Sequence, residues 1–255
     1  MPQAHPSGRH PRGLLVLDFD GTLWRGNEPL QAYAAAVAQA LPSPDQPIYL
    51  SRVNAFLAGE RWSTPAGADL PEDGWAAVAR FAADYGATAA DCQGPFAETR
   101  ARIAAGAFHL EVPAGLPEFL VWAKAWCTVV LASNSPAGSV LPVLDRLGLT
   151  ARFDDVACEA HKPTGLTTLG PAWTKRFGVE PARVMSIGDH YPNDIAPAHA
   201  AGWSTTYVTP WRAVAGPCSV VGTTVEEVLP SLRAWVTVVV AGGRTGGEKE
   251  HDRLS

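Results

Sequence analysis

The sequence predicts an α/β fold in which a three-layer core around a central parallel sheet carries an inserted, all-helical domain. Short apolar runs unbroken by polar residues are typical of strands buried on both faces. Helix-like stretches alternate with these runs, which indicates βαβ units. Residues 25–112 differ in kind, since they hold 23 Ala in 88 positions and no run of β-branched residues. The 255-residue chain is long enough for both units.

Five apolar runs are the predicted strands, and polar or glycine-containing turns follow them. They cover residues 14–17, 128–131, 156–158, 184–187 and 205–208. Helices of the core are predicted over residues 138–147, 168–177 and 193–201. The first of these has apolar residues at helical spacing on one stripe.

Four helices are predicted in the inserted domain, over residues 30–41, 46–57, 74–85 and 95–105. Thr88, Asp91 and Pro95 are residue types that suit a helix start, and they precede or begin the last helix. Turn formers concentrate at residues 25–29 and 111–115, which are the predicted hinges. The expected organisation is a core of residues 13–24 and 113–235, a helical cap of residues 25–112, and disordered tails at 1–12 and 236–255.

Composition excludes several classes of function. The net charge is −5, the wrong sign for electrostatic capture of nucleic acid or anionic lipid. No apolar run approaches the ~18 residues of a membrane span, and the N-terminus lacks the apolar segment of a secretory signal. The four cysteines are scattered without a CxxC pair, which favours reduced thiols. We therefore expect a cytoplasmic protein without nucleic-acid or membrane partners.

The polar residues of greatest interest follow the ends of predicted strands. Ligands of open parallel sheets bind outside the carboxyl ends of the strands, so these residues should share one crevice. They are Asp18 and Asp20, Ser133 and Asn134, Lys162, and Asp189 and Asp194. Residues two apart on extended backbone project to the same side, which lets Asp18 and Asp20 both face the crevice. The alternative for Asp20-Gly21 is an ordinary turn, although a turn does not explain two acids directly after a buried strand.

Four carboxylates in one crevice need a balancing positive charge. Like charges at short range disfavour simultaneous ionisation, and a hard divalent cation with all-oxygen ligands relieves that repulsion. We therefore predict a Mg²⁺ site formed by Asp18, Asp20, Asp189 and Asp194. Lys162 adds further positive charge. Such a site suits an anionic substrate, most simply a phosphate.

Four segments resemble, in order and context, the motifs of the haloacid dehalogenase-like superfamily: LDFDGTLW, LASNS, HKP and GDHYPNDIAPAHAAG. The resemblance implies a Rossmann-like core, and the helical insertion occupies the place of that family's C1 cap. It implies that Asp18 is the nucleophile and that Asp20 is the general acid and base, with its backbone carbonyl on the metal. Ser133, backbone amides near Asn134, and Lys162 would bind the phosphoryl group. Asp189 would bind Mg²⁺, and Asp194 would orient Lys162 or bind the metal through water.

The expected function is Mg²⁺-dependent hydrolysis of a small soluble phosphomonoester through an aspartyl-phosphate. Dehalogenases of the family typically lack the second aspartate, and phosphonate hydrolases use a cap lysine, a residue type absent from residues 25–112. A sugar-phosphate mutase or phosphotransferase and a non-catalytic phosphate-binding protein remain as alternatives. Trp24, Arg25 and Arg61 are the predicted substrate-binding residues of the entrance and the cap. The role of His190 and the choice between monomer and homodimer stay open.

Overall fold

One parallel sheet organises the core of the protein. The computed structural model describes residues 12–60, 71–210 and 216–242, and all residue counts and absences below refer to these ranges. The strands within them are β1 Gly13–Leu17, β2 Cys127–Ala132, β3 Asp155–Ala157, β4 Val184–Gly188, β5 Ser204–Val208 and β6 Val220–Gly222. Their order across the sheet is β3-β2-β1-β4-β5-β6, with parallel pairing throughout. This is the strand order of doubly wound dinucleotide-binding folds, and it confirms the predicted Rossmann-like sheet.

β1 lies at the centre of the sheet, where the strand order reverses. Leu17 is in register with Leu131 of β2 on one side and with Ile187 of β4 on the other. Every residue of β1, β2 and β4 is buried, as the apolar runs predict. The chain therefore leaves three adjacent strands at the same edge of the sheet, which brings their following loops together.

Helices cover both faces of the sheet. The helices within the described ranges are α1 Glu28–Ala38, α2 Gln46–Leu57, α3 Gly74–Ala83, α4 Ala89–Ala104, α5 Leu116–Ala123, α6 Ala137–Arg146, α7 Leu166–Phe177, α8 Ala196–Ala200 and α9 Val225–Gly242. Side chains of α5, α6 and α9 share a hydrophobic core with Leu15, Val129 and Ile187. Side chains of α7 and α8 share a second core with Leu14 and Val130, whose side chains alternate to the opposite face. The predicted three-layer arrangement is thus observed.

The helices α1–α4 are inserted between β1 and β2 and have a hydrophobic core of their own. Tyr33, Tyr49, Val53 and Phe81 are buried in it, and Tyr49 donates a hydrogen bond to the carbonyl of Val78. The chain enters and leaves this helical cap side by side. Arg25 and Glu111 form an antiparallel bridge with two backbone hydrogen bonds of 2.9 Å.

Two helices differ from the sequence prediction at their N-terminal ends. The helix expected from residue 95 begins at Ala89, because Thr88 and Asp91 form a reciprocal capping box six residues earlier. Pro95 therefore lies inside α4. The helix expected over residues 193–201 is a π-helical turn, Tyr191–Ile195, followed by the short α8.

Three further elements, α5, α9 and β6, are not among the sequence predictions. The helix α9 continues to Gly242, so the expected tail from residue 236 is wrong for its first seven residues. Val236 and Val239 are buried, because the apolar run there forms the inner face of α9. The other predicted tail covers residues 1–12, of which residues 1–11 lie outside the described ranges. The backbone N–H of Arg12 donates to the carbonyl of Trp126 at 2.8 Å. No helix in the described ranges is long and apolar enough to cross a membrane.

Candidate active site

Three carboxylates meet where β1 and β4 end. Asp18 directly follows β1, and Asp189 and Asp194 follow β4 on the loop and the π-helical turn. One carboxylate oxygen from each lies within 4.8 Å of the other two. Oxygens bound to one Mg²⁺ at about 2.1 Å are at most about 4.2 Å apart, so the cluster is close to the size that a single ion bridges. The donor set is all oxygen, which fits the predicted metal.

Lys162 joins two of these carboxylates. Its Nζ is 2.6 Å from Asp18 Oδ1 and 2.6 Å from Asp194 Oδ1, and the lysine side chain is buried. The second oxygen of Asp194 accepts a hydrogen bond of 3.1 Å from the backbone N–H of His190. Both oxygens of Asp194 are therefore engaged with protein donors. This geometry favours orientation of Lys162 over direct metal binding as the role of Asp194.

Loops after β2 and β3 hold Lys162 in this place. The side chain of Asn134 accepts from the Lys162 backbone N–H at 2.6 Å and donates to the Lys162 carbonyl at 2.9 Å. Ser133 is buried, and its Oγ accepts from the backbone N–H of Ser135 at 3.1 Å. The structure thus joins the segment after β2, which contains Ser133 and Asn134, to the loop that carries Lys162, and Lys162 in turn contacts Asp18.

The cluster carries more negative charge than Lys162 balances. Burial raises the pKa of Asp18 to about 7, opposed by the Lys162 charge and reinforced by Asp194. Burial also raises the pKa of Asp189 well above its ordinary range, and Asp18 and Asp73 add to the rise. Burial lowers the pKa of Lys162, but its ion pairs with Asp18 and Asp194 outweigh that effect, so its pKa is raised and the ammonium stays protonated. A divalent cation would reverse the rise at the carboxylates.

A glycine sets the distance between the β1 loop and Asp189. Gly21 has φ +78°, in the left-handed region, and a Cβ added there would lie 1.9 Å from Asp189 Oδ2. No side chain fits between this loop and Asp189. Glycine at position 21 therefore allows the loop after Asp20 to approach the Asp189 carboxylate closely.

The carboxylate of Asp20 has hydrogen-bond partners outside the three-carboxylate cluster. Its Oδ1 accepts from Arg100 Nη1 at 2.7 Å, and its Oδ2 accepts from Ser135 Oγ at 3.2 Å. Arg100 Nη2 in turn donates to Ser135 Oγ at 2.8 Å. The Asp20 carboxylate is thus not part of the candidate metal cluster. The metal role of the Asp20 backbone carbonyl stays a prediction.

A cavity of about 500 Å³ lies between the cap and the core, next to this site. Its lining includes Asp20, Trp24 and Asp189 from the core side and Asp73 and Trp75 from the N-terminus of α3. Trp24 is buried with its ring edge-to-face against Phe19, and its Nε1 has no hydrogen-bond partner among the described residues. The volume suits a small ligand.

The remaining predicted substrate-binding residues have different outcomes. Arg25 lines the cavity, but its guanidinium pairs with Glu111 and Glu226 at the cap hinge. Arg61 lies outside the described residues. His190 is half-buried, and its Nδ1 has no hydrogen-bond partner within the described ranges.

Sequence reasoning missed three residues near the site, namely Asp73, Arg100 and Ser135. Asp73 caps α3 by accepting from the Ala76 N–H at 2.6 Å, and burial together with Asp20 raises its pKa. Asp73 directly precedes a predicted helix, where Asp is a common N-cap residue, so the sequence could have identified it. Ser135 is the last residue of the LASNS motif. Arg100 is one arginine on a polar helix 80 positions from Asp20, so only the folded chain identifies it.

The sequence of residues 13–202 matches the family model described as haloacid dehalogenase-like hydrolase. No curated protein matches the chain in sequence.

Several solved structures share the fold. A HAD-hydrolase, YfnB from Bacillus subtilis, bound to magnesium, is 16% identical, with a TM-score of 0.57 over 88% of this chain and 99% of that one. A predicted phosphoglycolate phosphatase from Haemophilus somnus 129PT is 18% identical, with a TM-score of 0.59 over 86% and 97%. A protein from Thermotoga maritima described as a β-phosphoglucomutase is 20% identical, with a TM-score of 0.55 over 87% and 99%. At these identities the likeness shows the fold alone.

Proposed function

Because the chain belongs to the haloacid dehalogenase-like hydrolases, we propose that it is a Mg²⁺-dependent phosphatase acting on a small soluble phosphomonoester in the cytoplasm. The observation that carries the proposal is the position of Lys162, whose Nζ is 2.6 Å from both Asp18 and Asp194. The buried ammonium of Lys162 lies between two carboxylates, and the side chain of one of them, Asp18, is 12% exposed. An anionic phosphoryl group beside Asp18 would therefore meet a fixed positive charge.

The candidate metal site supports the same proposal. Asp18 and Asp189 would bind Mg²⁺ directly, with Asp194 behind them on Lys162. The ion would supply positive charge that balances the carboxylates and the phosphoryl oxygens. Burial and the neighbouring carboxylates raise the pKa of Asp18 and of Asp189, and a bound cation would oppose that rise, which supports the assignment.

The first chemical step follows from the placement of Asp18 and Asp20. An oxygen of Asp18 attacks phosphorus, forming the Asp18–phosphorus bond while the bond between phosphorus and the ester oxygen breaks. The ester oxygen leaves as an alcohol after it takes a proton from Asp20. A carboxylate is a suitable nucleophile because it forms a reactive acyl phosphate. Lys162 and Ser133 hold the phosphoryl oxygens during the transfer.

The second step returns the enzyme to its starting state. Water attacks phosphorus and gives one proton to Asp20, while the bond between Asp18 and phosphorus breaks and inorganic phosphate leaves. Asp20 thus acts first as acid and then as base. Its separation from the Lys162 cluster suits that role, because its carboxylate is free of the metal-binding set.

Hydrolysis of p-nitrophenyl phosphate tests the proposal. The purified protein should release p-nitrophenol with Mg²⁺ and lose that activity with EDTA. Asp18→Asn should lower kcat by about 1,000-fold or more, since the nucleophile is removed. Asp84→Asn is the matched control, because Asp84 lies on the cap surface in ion pairs with Arg52 and Arg80.

Two results would contradict the proposal: turnover that survives EDTA, or an Asp18→Asn variant as active as Asp84→Asn. Activity toward a haloacid and no phosphate ester would place the protein among the dehalogenases instead. Transfer of the phosphoryl group to a sugar hydroxyl in preference to water would identify a phosphotransferase. A panel of phosphorylated metabolites would then identify the substrate of an active phosphatase.

A further inference from the structure

We propose that Arg100 of the cap is a positioning residue that fixes the carboxylate of Asp20 for proton transfer. The inference rests on the proposed function, which makes Asp20 the acid and base. Arg100 lies on α4, and its guanidinium crosses from the cap to the loop after β1. Its guanidinium donates to Asp20 and to Ser135, so we assign it an action through Asp20.

The contacts hold Asp20 from both of its oxygens. Arg100 Nη1 donates to Asp20 Oδ1 at 2.7 Å, and Ser135 Oγ donates to Oδ2 at 3.2 Å. Arg100 Nη2 donates to the same Ser135 Oγ at 2.8 Å. The three groups form a closed ring of hydrogen bonds. The planar fork of a guanidinium suits such a double contact, whereas an ammonium is a single point of charge.

Arg100 is buried in its ion pair with Asp20, which distinguishes this contact from a surface ion pair. Arg100 is only 4% exposed, and its Nε has no hydrogen-bond partner in the part of the chain that the structure describes. A buried guanidinium is costly unless it is paired. Its strongest partner is the carboxylate of Asp20, 2.7 Å away. The fold therefore holds Arg100 and Asp20 together whenever the cap is in this position.

The surroundings of Arg100 connect it to both units. On the core side, Arg146 of α6 donates to the carbonyls of Ile103 and Ala104, which fastens the C-terminal end of α4. On the cap side, the ring of Trp75 lies 5.4 Å from the Arg100 guanidinium carbon, and Trp75 lines the cavity. Arg100 thus stands between a cavity-lining aromatic residue and the proposed acid and base.

Two esters with different leaving groups distinguish a positioning role of Arg100 from a purely structural role in the packing of the cap. An alcohol that leaves poorly needs the proton of Asp20, while p-nitrophenolate leaves without one. The specificity constant kcat/KM covers the steps through release of the alcohol. Misplacing Asp20 should therefore reduce kcat/KM for phenyl phosphate more than for p-nitrophenyl phosphate. Loss of cap packing alone would reduce both by the same factor.

The experiment measures kcat/KM on these two esters for the wild-type protein, Arg100→Met and the control Arg146→Met. Arg146→Met removes a comparable contact between α4 and the core without touching Asp20. We expect Arg100→Met to lower kcat/KM about 100-fold on phenyl phosphate and less than about tenfold on p-nitrophenyl phosphate. Arg146→Met should leave the ratio of the two constants at the wild-type value.

An unchanged ratio in Arg100→Met, or the same shift in Arg146→Met, would overturn the inference. If Arg100→Met does not fold, Arg100→Lys is used instead, because one ammonium cannot hold Asp20 and Ser135 together. The ratio of kcat/KM for the two esters should then shift in the same direction. A wild-type protein inactive on all phosphate esters would refute the proposed function instead. A crystal structure of the variant then decides the positioning: an Asp20 carboxylate in its original orientation overturns it, and a reoriented one supports it.

Discussion

Asp18 and Asp20 are the same residue type two positions apart, and the fold gives them different surroundings. Asp18 contacts a buried lysine and lies within 4.8 Å of two further carboxylates, while Asp20 contacts an arginine and a serine. Both residues follow β1, but they have different neighbours. This difference supports the proposal that one carboxylate is the nucleophile and the other carries a proton.

Asp20→Asn should trap the proposed intermediate. The amide cannot accept a proton from the attacking water, so hydrolysis of the aspartyl-phosphate should slow by about 100-fold or more. After incubation with p-nitrophenyl phosphate and an acid quench, mass spectrometry should show protein heavier by one phosphoryl group. The double variant Asp18→Asn, Asp20→Asn is the control and should gain no mass. A phosphoryl group on any residue other than Asp18 would contradict the mechanism.

The neighbours of a residue can be predicted from the sequence when the residue follows the end of a predicted strand. Four residues converge because each follows the end of a strand, and the apolar runs identify those strands. They are Asp18, Lys162, Asp189 and Asp194. Arg100 could not be predicted in the same way. Its contact with Asp20 depends on how the cap packs on α6, and no local pattern encodes that packing.

At the scale of elements, strand ends and tight turns build the site. Gly188 ends β4 so close to Asp194 that an added Cβ would lie 2.4 Å from the Asp194 Cβ. The π-helical turn that follows places Asp194 against Lys162. Glycines at positions 21 and 188 allow the segments after β1 and β4 to bring three carboxylates within 4.8 Å of one another.

Gly21→Ala should weaken metal binding as well as stability. The new Cβ would lie 1.9 Å from Asp189 Oδ2, at a φ of +78°. We expect a loss of about 1–3 kcal/mol in the free energy of unfolding and a rise of about tenfold or more in the Mg²⁺ concentration for half-maximal activity. Denaturant melts and Mg²⁺ titrations measure the two effects.

Gly148→Ala is the matched control for this variant. Gly148 has φ +67° and no atom within 4 Å of its added Cβ, so the substitution strains the backbone without a clash. It should lower stability and leave the Mg²⁺ requirement unchanged. Equal Mg²⁺ requirements in the two variants would mean that Gly21 does not set the position of Asp189.

Element prediction was accurate for buried strands and weaker elsewhere. Each predicted strand lies within one residue of an observed one, because short uninterrupted apolar runs are typical of strands in a parallel sheet that is covered on both faces. The short edge strand β6 has a half-buried and an exposed residue, and so no such run. The helix α9 contains Pro230, and its apolar C-terminal run resembles a strand as much as a helix.

At the scale of the molecule, the cap and the core form one electrostatic unit around the site. Burial and Asp18 raise the pKa of Asp189 in the core, and Asp73 from the cap adds to the rise. Arg100 from the cap pairs with Asp20. The charge at the site is therefore a property of both units together. A cation that binds there should stabilise the whole protein through linkage.

The metal-free protein should become less stable as the pH rises. The folded state keeps the proton of Asp18 up to about pH 7, whereas the unfolded chain releases it near pH 3.8. The folded state thus binds more protons between these values, so this group's contribution to the free energy of unfolding is lost as the pH rises from about 4 through about 7. Thermal melts in EDTA across this range measure the effect, and Asp18→Asn should flatten it.

Added Mg²⁺ should reverse that trend, because it binds the deprotonated carboxylates. The Mg²⁺-induced rise in Tm should be larger at pH 8 than at pH 5. An equal rise at both pH values would show that the ion binds away from Asp18 and Asp189.

The hinge between the two units consists of neighbouring chain segments joined by a pair of mutual backbone hydrogen bonds at Arg25 and Glu111. Residues paired in this way have Cα atoms about 5.5 Å apart, a gap that a tight loop or an entire foreign domain can span equally well. The stretch between them is thus exchangeable in the course of evolution while β1 and β2 keep their register. On the proposed function, selectivity for the alcohol portion of a substrate can diverge in that stretch while the proposed catalytic residues of the core are inherited unaltered.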